Sequence, residues 1–468
     1  MEDLWRNLLS LSLWQVGLTL IGAGIAWSAI TTARTPQGAV GWVVFLVSFP
    51  LLAIPSYLVF GRIGFRGYVR KRRAMETRPT PGMETSGKDW SRLATIDAIS
   101  PFPVTLGNRP DLLIDGEAMF PAVFAAIDAA RVEVVAQSYI VRADAVGWAL
   151  HERLRAAAAR GVRVHFLCDA LGCILLPPRY LRTLREAGVE AHVVRGPRRP
   201  VGRLGLNYRN HRKTVVVDGR VGFTGGINVG EEYIDGGKRF EDWRDTHLRI
   251  EGPVAWQLRG VFADDWKWAS GGETLSEDGL ARPEEGEGLP ALLVPNGPTD
   301  ELERGSLLAC ALIGMATERL WIASPYLVPH TDLLTALQLA AKRGVDVRIL
   351  IPEAADHRLP WLAARDFLAE LYPVGIEVWA YRAGFMHQKV FLVDGDVASI
   401  GTLNLDIRSV MLNYEASVVV EDEGFAAEVE AMLEKDFARA VPLETDPARM
   451  PYWLRALAPV ARLFAPVL

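Results

Sequence analysis

Residues 211–228 read HRKTVVVDGRVGFTGGIN, and residues 387–404 read HQKVFLVDGDVASIGTLN. His, Lys, Asp, Gly and Asn stand at the same offsets in both segments, which chance does not plausibly produce twice in 468 residues. Arginine is the default cation of the chain, with 43 residues against eight lysines, so lysine in both copies indicates selection. The repeat predicts an internal duplication in which each half carries one copy of the motif.

Each copy predicts a β-hairpin that carries polar side chains. The run after His211 alternates as a strand does, which places Lys213 on the same face as the histidine. Asp218 and the glycine after it predict a turn, and a second strand then brings Asn228 back near the lysine. The second copy predicts the same arrangement for His387, Lys389, Asp394 and Asn404.

Strand-like runs alternate with helical runs on both sides of a polar connector. We therefore expect an α/β fold in which two pseudo-symmetric α/β/α halves, residues 93–270 and 291–468, form one active site. The connector at residues 271–290 is rich in acidic residues, glycine and proline, which predicts an exposed linker.

Residues 1–73 predict a membrane anchor with two transmembrane helices. Residues 11–30 and 39–60 carry no formal charge, and each run is long enough to cross about 30 Å of hydrocarbon as a helix. A cleaved signal peptide is the alternative for the first run, although its leader carries both signs of charge and a second apolar run follows. The basic cluster after the second run predicts that both ends lie on the cytoplasmic side. Residues 74–92 predict a linker.

The balance of charges argues against one class of function. With 51 basic and 56 acidic residues, the net charge is -5, which does not suit a nucleic-acid coat whose affinity depends on positive charge. The cysteines are odd in number and lack metal-ligand spacing, so we expect reduced thiols in apolar surroundings at Cys168, Cys173 and Cys310.

The paired motifs suit the transfer of a phosphoryl group. They supply two histidines, two lysines and two asparagines, without an acidic cluster suited to a metal, so we expect cationic side chains to replace a metal or other cofactor. One histidine would attack phosphorus, and the other would protonate the leaving alcohol and deprotonate the incoming one. An isolated HxK motif is more often an ordinary feature, but here the complete pattern occurs twice.

Two carboxylates outside the motifs could orient the histidines. Asp245 in WRDTH and Glu415 in NYEAS occupy similar places in the two halves, and each could accept a proton from the second ring nitrogen of a histidine. The alternative is that both are plain strand-end carboxylates. We count Asp218 and Asp394 with the catalytic motif, where we expect them to order the turn and the lysine.

Two further segments leave alternatives open. Residues 195–213 carry seven basic residues and no acidic one, so they either gather an anionic lipid headgroup or form a solvated basic loop. The apolar run from residue 451 to the C-terminus either lies at a lipid interface or closes the second core.

The two HxKxxxxD motifs resemble those of the phospholipase D superfamily, whose members pair them across one active site. More narrowly, the chain is similar to bacterial cardiolipin synthases in RTPQGAVGW, YLVFGR, WRDTHLRIEGP, SPYLVP, GTLNLDIRS and NYE, and this resemblance covers nearly the whole chain. It implies a membrane enzyme that joins two phosphatidylglycerols into cardiolipin and releases glycerol, without a metal. It also implies His211 as nucleophile and His387 as general acid and base, with phosphate held by Lys213, Lys389, Asn228 and Asn404.

We therefore expect phosphatidyl transfer between anionic membrane lipids, by a multi-pass protein of the bacterial inner membrane with a cytoplasmic catalytic part. Phospholipase D-type hydrolysis would use the same residues with water as acceptor, and the anchor favours a lipid acceptor instead. An inactive membrane scaffold or nuclease-like binder is a third hypothesis, against which the two intact motifs count. No nucleic-acid partner is expected, and the sequence leaves the oligomeric state open.

Overall fold

The structure is a computed structural model that describes residues 2–33, 36–61, 65–75, 92–196, 208–237, 239–444, 446 and 448–465. The chain divides into two compact units. The smaller unit comprises Met1–Met75 and Arg195–Tyr208, and the larger comprises Glu76–Val194 and Arg209–Leu468.

The smaller unit is helical in its described residues. Its helices are α1 (Glu2–Thr32), α2 (Pro36–Ser48), α3 (Pro50–Phe60) and α4 (Phe65–Met75). Tyr57 of α3 packs edge-on against Trp42 of α2, with ring centroids 4.9 Å apart. The same tyrosine donates a hydrogen bond of 3.4 Å to Ser28 of α1, so these three helices pack together.

The predicted second span is interrupted. Residues 39–60 lie in two helices instead of one, because Pro50 has no amide hydrogen for the helical ladder and serves as the first residue of α3. Across the described part of the chain, no helix is both long enough and apolar enough to cross a membrane. The expected pair of spans at 11–30 and 39–60 is therefore not supported by the fold.

The larger unit is built on a long mixed sheet. The strands of its first half are β1 (Thr105–Ile114), β2 (Glu133–Ser138), β3 (Arg163–Asp169), β4 (Glu190–Val194), β5 (Arg209–Asn210), β6 (Thr214–Val217), β7 (Val221–Gly225), β8 (Trp243–Arg244) and β9 (Thr246–Glu251). The accompanying helices are α5 (Ala94–Ile99), α6 (Asp115–Ala129), α7 (Ala145–Ala159), α8 (Pro178–Glu186), α9 (Glu232–Asp235) and α10 (Pro253–Ser270).

The second half repeats this series. Its strands are β10 (Leu289–Asn296), β11 (Arg319–Ala323), β12 (Asp346–Pro352), β13 (Glu377–Tyr381), β14 (Phe385–Met386), β15 (Val390–Val393), β16 (Val397–Gly401), β17 (Asn413–Glu421) and β18 (Ala440–Pro442). Its helices are α11 (Arg304–Met315), α12 (Thr331–Lys342), α13 (Arg358–Leu371), a 3-10 turn (Tyr372–Val374), α14 (Ile407–Met411), α15 (Glu423–Ala438) and α16 (Tyr452–Arg462).

The order of the strands displays the duplication. Read across the sheet, it is β18-β13-β12-β11-β15-β16-β17-β10-β1-β9-β7-β6-β2-β3-β4, with β5 paired to β17 off this path. From the central β10–β1 pair outward, each strand of the first half has its counterpart in the second, which adds β18 at its edge. In each half three adjacent strands run parallel, β2-β3-β4 and β11-β12-β13. Helices cover both faces of such strands, and β2, β3, β11 and β12 are mostly buried. The predicted α/β fold with two similar halves is confirmed.

Alternation along the central strands builds a core on each face of the sheet. In β10, Leu293 packs in a cluster with α10 and α15, whereas Leu292 and Val294 pack in another with α11, α12 and α13. The cluster of α10 and α15 includes residues of both halves. The two halves are therefore joined by a common core and by the antiparallel β1–β10 pair.

Two segments pack in ways that the sequence left open. Helix α5 lies near the start of the predicted first half, but its Ile96 is buried in the core of the second half. Helix α16 buries Leu454, Ala458 and Ala461, and it contacts α13, so it closes the second core. Its other face exposes apolar side chains, including Trp453 at 55%.

Candidate active site

Each motif forms the hairpin that the sequence predicts. Strands β6 and β7 pair antiparallel from Thr214–Thr224 to Val217–Val221, and β15 and β16 pair in the same way. The turn is tight because Asp218 has φ 51° and Gly219 has φ 66°, a left-handed region in which glycine and aspartate are tolerated better than most residues. The histidine and lysine of each motif come just before the hairpin's first strand.

Short strands fix the two histidines against the opposite half of the fold. In one pair, β5 runs beside β17, and the amide of His211 donates to the carbonyl of Tyr414 at 2.9 Å. In the other, β14 runs beside β8, and the amide of His387 donates to the carbonyl of Arg244 at 2.7 Å. Each motif histidine is thus held by a strand that belongs to the other half.

The same strands bring a carboxylate to each imidazole. Nδ1 of His211 lies 2.8 Å from Oε2 of Glu415, and Nδ1 of His387 lies 2.8 Å from Oδ2 of Asp245. Both carboxylates are fully buried. A carboxylate at Nδ1 directs the free nitrogen, Nε2, toward a substrate. The pairing is crossed, because each histidine is matched with a carboxylate from the other copy.

The motif lysines are buried beside the histidines. Nζ of Lys213 donates to the carbonyl of His211 at 2.7 Å, and Nζ of Lys389 lies 3.0 Å from Nδ1 of His387 and also donates to its carbonyl. Burial lowers the pKa of Lys213 to about 7 and that of Lys389 to about 8, against the opposing charges of nearby carboxylates.

The two motif asparagines lie in the same cavity as the histidines. Nδ2 of Asn228 donates to the hydroxyl of Tyr233 at 2.7 Å, and its Oδ1 accepts from the amide of Ile140 at 3.1 Å. These bonds fix the orientation of the first amide. Oδ1 of Asn404 is buried without a hydrogen-bond partner among the described residues.

The two carboxylates differ in their tendency to ionise. Burial raises the pKa of Glu415 to about 7. Burial acts on Asp245 in the same direction, but the charges of His387 and Lys389 outweigh it and hold the pKa of that carboxyl below its ordinary value. At neutral pH Asp245 is ionised, whereas Glu415 is partly protonated.

The pKa values of the two imidazoles are shifted by different neighbouring charges. Burial, followed by the charges of Lys213 and Lys389, lowers the pKa of His211 well below its ordinary value. Burial and Lys389 also lower the pKa of His387, but Asp245 opposes this shift. The arrangement therefore favours a neutral ring at His211, whereas Asp245 favours the protonated form of His387.

Asp218 and Asp394, counted with the catalytic motif from the sequence, do not line the cavity in the described structure. Oδ1 of Asp218 accepts hydrogen bonds from the amides of Val132 and Glu133 at 2.8 and 2.9 Å. Asp394 likewise accepts from Glu318 at the start of β11. Both carboxylates clamp the hairpin turn to the start of the neighbouring strand, which agrees with the expectation that they order the turn. Their role in ordering the lysine stays a prediction.

A cavity of about 920 Å³ unites the two motifs. Its lining includes His211, His387, Asn228 and Asn404 together with polar, aromatic and apolar residues of both halves: Tyr139, Arg142, Ile174, Leu175, Arg209, Glu232, Arg239, Phe240, Trp243, Tyr326, Leu359, Asp406, Arg408 and Asn413. Across the part of the chain that the structure describes, no group of three His, Cys, Asp or Glu residues is placed to hold a metal ion.

Sequence reasoning missed the network behind the histidines. Arg212, the middle residue of the first HxK, is buried and donates to Asp265 at 2.9 Å and to the carbonyl of Glu415 at 2.9 Å. Its counterpart Gln388 donates to Asp436 at 2.7 Å. Their position between the histidine and the lysine was the available signal, because alternation in an extended segment turns the middle side chain to the opposite side.

The described basic residues of the stretch at 195–213 do not form one continuous surface. Arg212 and Lys213 are buried in the network just described, and Arg209 lines the cavity. Arg198, Arg199 and Arg203 lie outside the described residues. Elsewhere, Cys168 and Cys173 are buried free thiols and Cys310 is a partly buried one, as expected.

Comparison with known proteins agrees with this architecture. The family described as "Cardiolipin synthase, PLD-like domain" matches residues 123–266 and 309–437, one match in each half. Cardiolipin synthase A of Pseudomonas aeruginosa (strain LESB58) is 42% identical, over 98% of this chain and 96% of the relative. Cardiolipin synthase A of Pseudomonas fluorescens (strain Pf-5) is 39% identical over 96% of this chain and 97% of the relative.

Among solved structures, phosphatidylserine synthase of Haemophilus influenzae Rd KW20 has a similar fold, with a TM-score of 0.60 over 78% of this chain and 97% of that chain. Its 15% identity supports the fold alone. The full-length sequence matches and the domain match in each half carry the assignment: the chain belongs to the cardiolipin synthase family of the phospholipase D superfamily.

Proposed function

We propose that the protein transfers a phosphatidyl group from one phosphatidylglycerol to the terminal hydroxyl of another, which yields cardiolipin and glycerol. The single observation that carries this proposal is the pair of crossed histidine–carboxylate contacts at one cavity. The full-length likeness to cardiolipin synthases supports the choice of lipid substrates.

In the first step, Nε2 of His211 attacks phosphorus and the bond from phosphorus to the glycerol oxygen breaks. His387 donates its proton to that oxygen, so glycerol leaves neutral and the phosphatidyl group is bound to His211. In the second step, His387 takes the proton of the acceptor hydroxyl. The acceptor oxygen bonds to phosphorus, and the bond from phosphorus to His211 breaks.

The charges around the rings support this order of roles. A nucleophile must be unprotonated, and the lowered pKa of His211 favours that state. An acid needs its proton stabilised, and ionised Asp245 does this for His387. We infer that Lys213, Lys389 and the motif asparagines bind the nonbridging oxygens as charge shifts in the transition state.

Contact with a membrane would bring the water-insoluble substrate to the site. In the smaller unit, α1, α2 and α3 expose large apolar side chains, including Leu20, Trp27, Val47 and Leu52, and such surfaces are typical of lipid-contacting proteins. They support the proposal that this unit attaches the enzyme to the bacterial inner membrane. The two-span topology, with a cytoplasmic catalytic part, stays a proposal to be tested by labelling single cysteines from each side.

The proposed activity is tested with purified protein in phosphatidylglycerol vesicles. Cardiolipin and glycerol should form in equal amounts, as measured by mass spectrometry and a glycerol assay. Phosphatidic acid as the dominant product would indicate hydrolysis instead. His211→Ala should abolish a trapped phosphatidyl-protein intermediate, whereas His387→Ala should slow its formation. Trapping of the intermediate on His211→Ala but not on His387→Ala would reverse the two roles.

A further inference from the structure

The two sides of the cavity differ although the catalytic residues repeat. The strand pair that holds His211 sets Arg209 opposite Asn413 in register, and the equivalent pair that holds His387 sets Phe385 opposite Trp243. An arginine and an asparagine in one pair therefore take the same backbone positions as a phenylalanine and a tryptophan in the other, each two residues before a motif histidine or its carboxylate. The duplication kept the backbone while the side chains diverged.

A third pair of equivalent positions also differs in charge between the two copies. Four residues after the motif asparagine, the first copy has Glu232 and the second has Arg408. Glu232 is paired with Arg142 at 3.2 Å, so its charge is balanced within the first half. Arg408 lies in the cavity together with Arg209 and Asp406, and the charge of Asp406 acts on it in the opposite sense to that of Arg209.

We define the basic wall as Arg209, Arg408 and Asn413, and the aromatic wall as Trp243 and Phe240, with Phe385 buried behind them. In the basic wall, Arg209 donates to the hydroxyl of Tyr139 at 3.1 Å, and its Nε is buried without a hydrogen-bond partner among the described residues. Burial and the neighbouring charge of Arg209 lower the pKa of Arg408 to about 10, so the two guanidinium groups repel each other.

In the aromatic wall, the guanidinium group of Arg239 lies over the Phe240 ring, 5.2 Å from its centroid. Phe240 stacks on Phe385 with centroids 4.7 Å apart, and Trp243 lies 4.9 Å from the same ring. The basic wall, with two guanidinium groups, therefore suits an anion. Two like charges held at a cavity wall are stabilised when an anion binds between them, and a guanidinium recognises phosphate oxygens with two parallel hydrogen bonds.

The reaction brings a second anion into the cavity. In the proposed reaction the histidines, lysines and asparagines of the motifs act on the phosphate under attack. A lipid acceptor carries its own phosphodiester, one glycerol away from the attacking hydroxyl. We propose that Arg209 and Arg408 form a subsite for the phosphodiester of the acceptor lipid, an inference that rests on the proposed function. The subsite would select acceptors that carry a phosphate over water or glycerol.

The test uses two soluble acceptors that differ in the phosphodiester: glycerophosphoglycerol, which is deacylated phosphatidylglycerol, and glycerol. With phosphatidylglycerol as donor, the wild type should show the lower KM for glycerophosphoglycerol. Arg209→Gln and Arg408→Gln should each raise that KM about tenfold, the effect of losing one charge-assisted hydrogen bond, and leave glycerol exchange within about twofold. Arg209→Lys should recover part of the loss, because it keeps the charge without the bidentate geometry.

Arg182→Gln is the matched control, because Arg182 is 69% exposed, pairs with Glu186 and lies outside the cavity. Glycerol exchange by each variant reports that the donor site and the fold are intact. Equal loss of both reactions in Arg209→Gln and Arg408→Gln would overturn the subsite, as would an unchanged KM for glycerophosphoglycerol. A wild type that transfers to neither acceptor and makes no cardiolipin would refute the proposed function itself.

Discussion

Asp245→Asn removes one charge from the buried pair with His387 and keeps the size of the side chain. The carboxylate is fully buried, and its Oδ2 lies 2.8 Å from Nδ1 of His387. Two unit charges about 4 Å apart attract each other by about 4 kcal/mol at an effective dielectric constant of about 20. A hydrogen bond to a charged group contributes about 1.5–3 kcal/mol.

From these two estimates, we expect the change to raise the barrier for protonating the leaving glycerol by about 2–4 kcal/mol. The corresponding fall in kcat is about 30-fold to about 900-fold. The pH dependence should also move. Because the Asp245 charge opposes the effect of burial on His387, its removal lowers the pKa of that ring further, and the acid form is lost at a lower pH. The alkaline limb of kcat therefore shifts to lower pH.

The assay is release of glycerol and formation of cardiolipin from phosphatidylglycerol in mixed micelles, measured across the neutral range. Glu415→Gln is the matched control, since it makes the same chemical change at the equivalent position of the other half. Burial raises the pKa of Glu415 to about 7, so glutamine resembles the state that this residue mostly occupies below that pH. If the two variants lose the same activity at every pH, or if the alkaline limb stays in place, the assignment of acid and nucleophile is wrong.

Further expectations concern pH, acid stability and packing. Glu415→Gln should be close to wild type below about pH 7 and lose activity above it, because only there is the native carboxylate ionised; a uniform loss would contradict this. Burial alone would raise the pKa of Asp394, but Arg92 and backbone amides lower it to about 2. The ionised carboxylate therefore stabilises the fold above the ordinary pKa of about 3.9, and this stabilisation is lost as pH falls toward 2. Thermal unfolding of Asp394→Asn should consequently vary less than that of the wild type between those pH values, and parallel curves would contradict the clamp. Gly401→Ala should destabilise the fold by about 1–3 kcal/mol in urea unfolding, since a Cβ would stand 2.4 Å from the Ala416 carbonyl, whereas Gly314→Ala in α11 has open space and should not destabilise it.

Local patterns account for the features that could be predicted. The hairpin after His211 follows from strand alternation and the Asp-Gly turn, which involve neighbouring residues only. The same is true of the second copy, and repetition of the pattern implied two similar halves. The predicted helix at 39–60 failed at Pro50, where a local rule already indicated a bend but not a complete break.

The catalytic surroundings were harder to predict, because they depend on contacts distant in sequence. Arg212 was assigned to a basic headgroup site or solvated loop, yet it is buried against Asp265, 53 residues away. Asp218 was counted with the catalytic residues, but its partners are amides 85 to 87 residues earlier in the chain. Composition and spacing do not encode which side of a strand a distant segment will cover.

By itself, the sequence determined the α/β class, the duplication and the identity of the repeated polar residues, because these follow from periodicity and from turns between near neighbours. Only the tertiary structure decided that each histidine meets the carboxylate of the opposite half, a contact spanning 204 residues for His211 and Glu415. It also decided that one cavity wall is basic and the other aromatic. The physical reason is that burial and charge at the site are created by packing two halves together, and neither exists in an isolated segment.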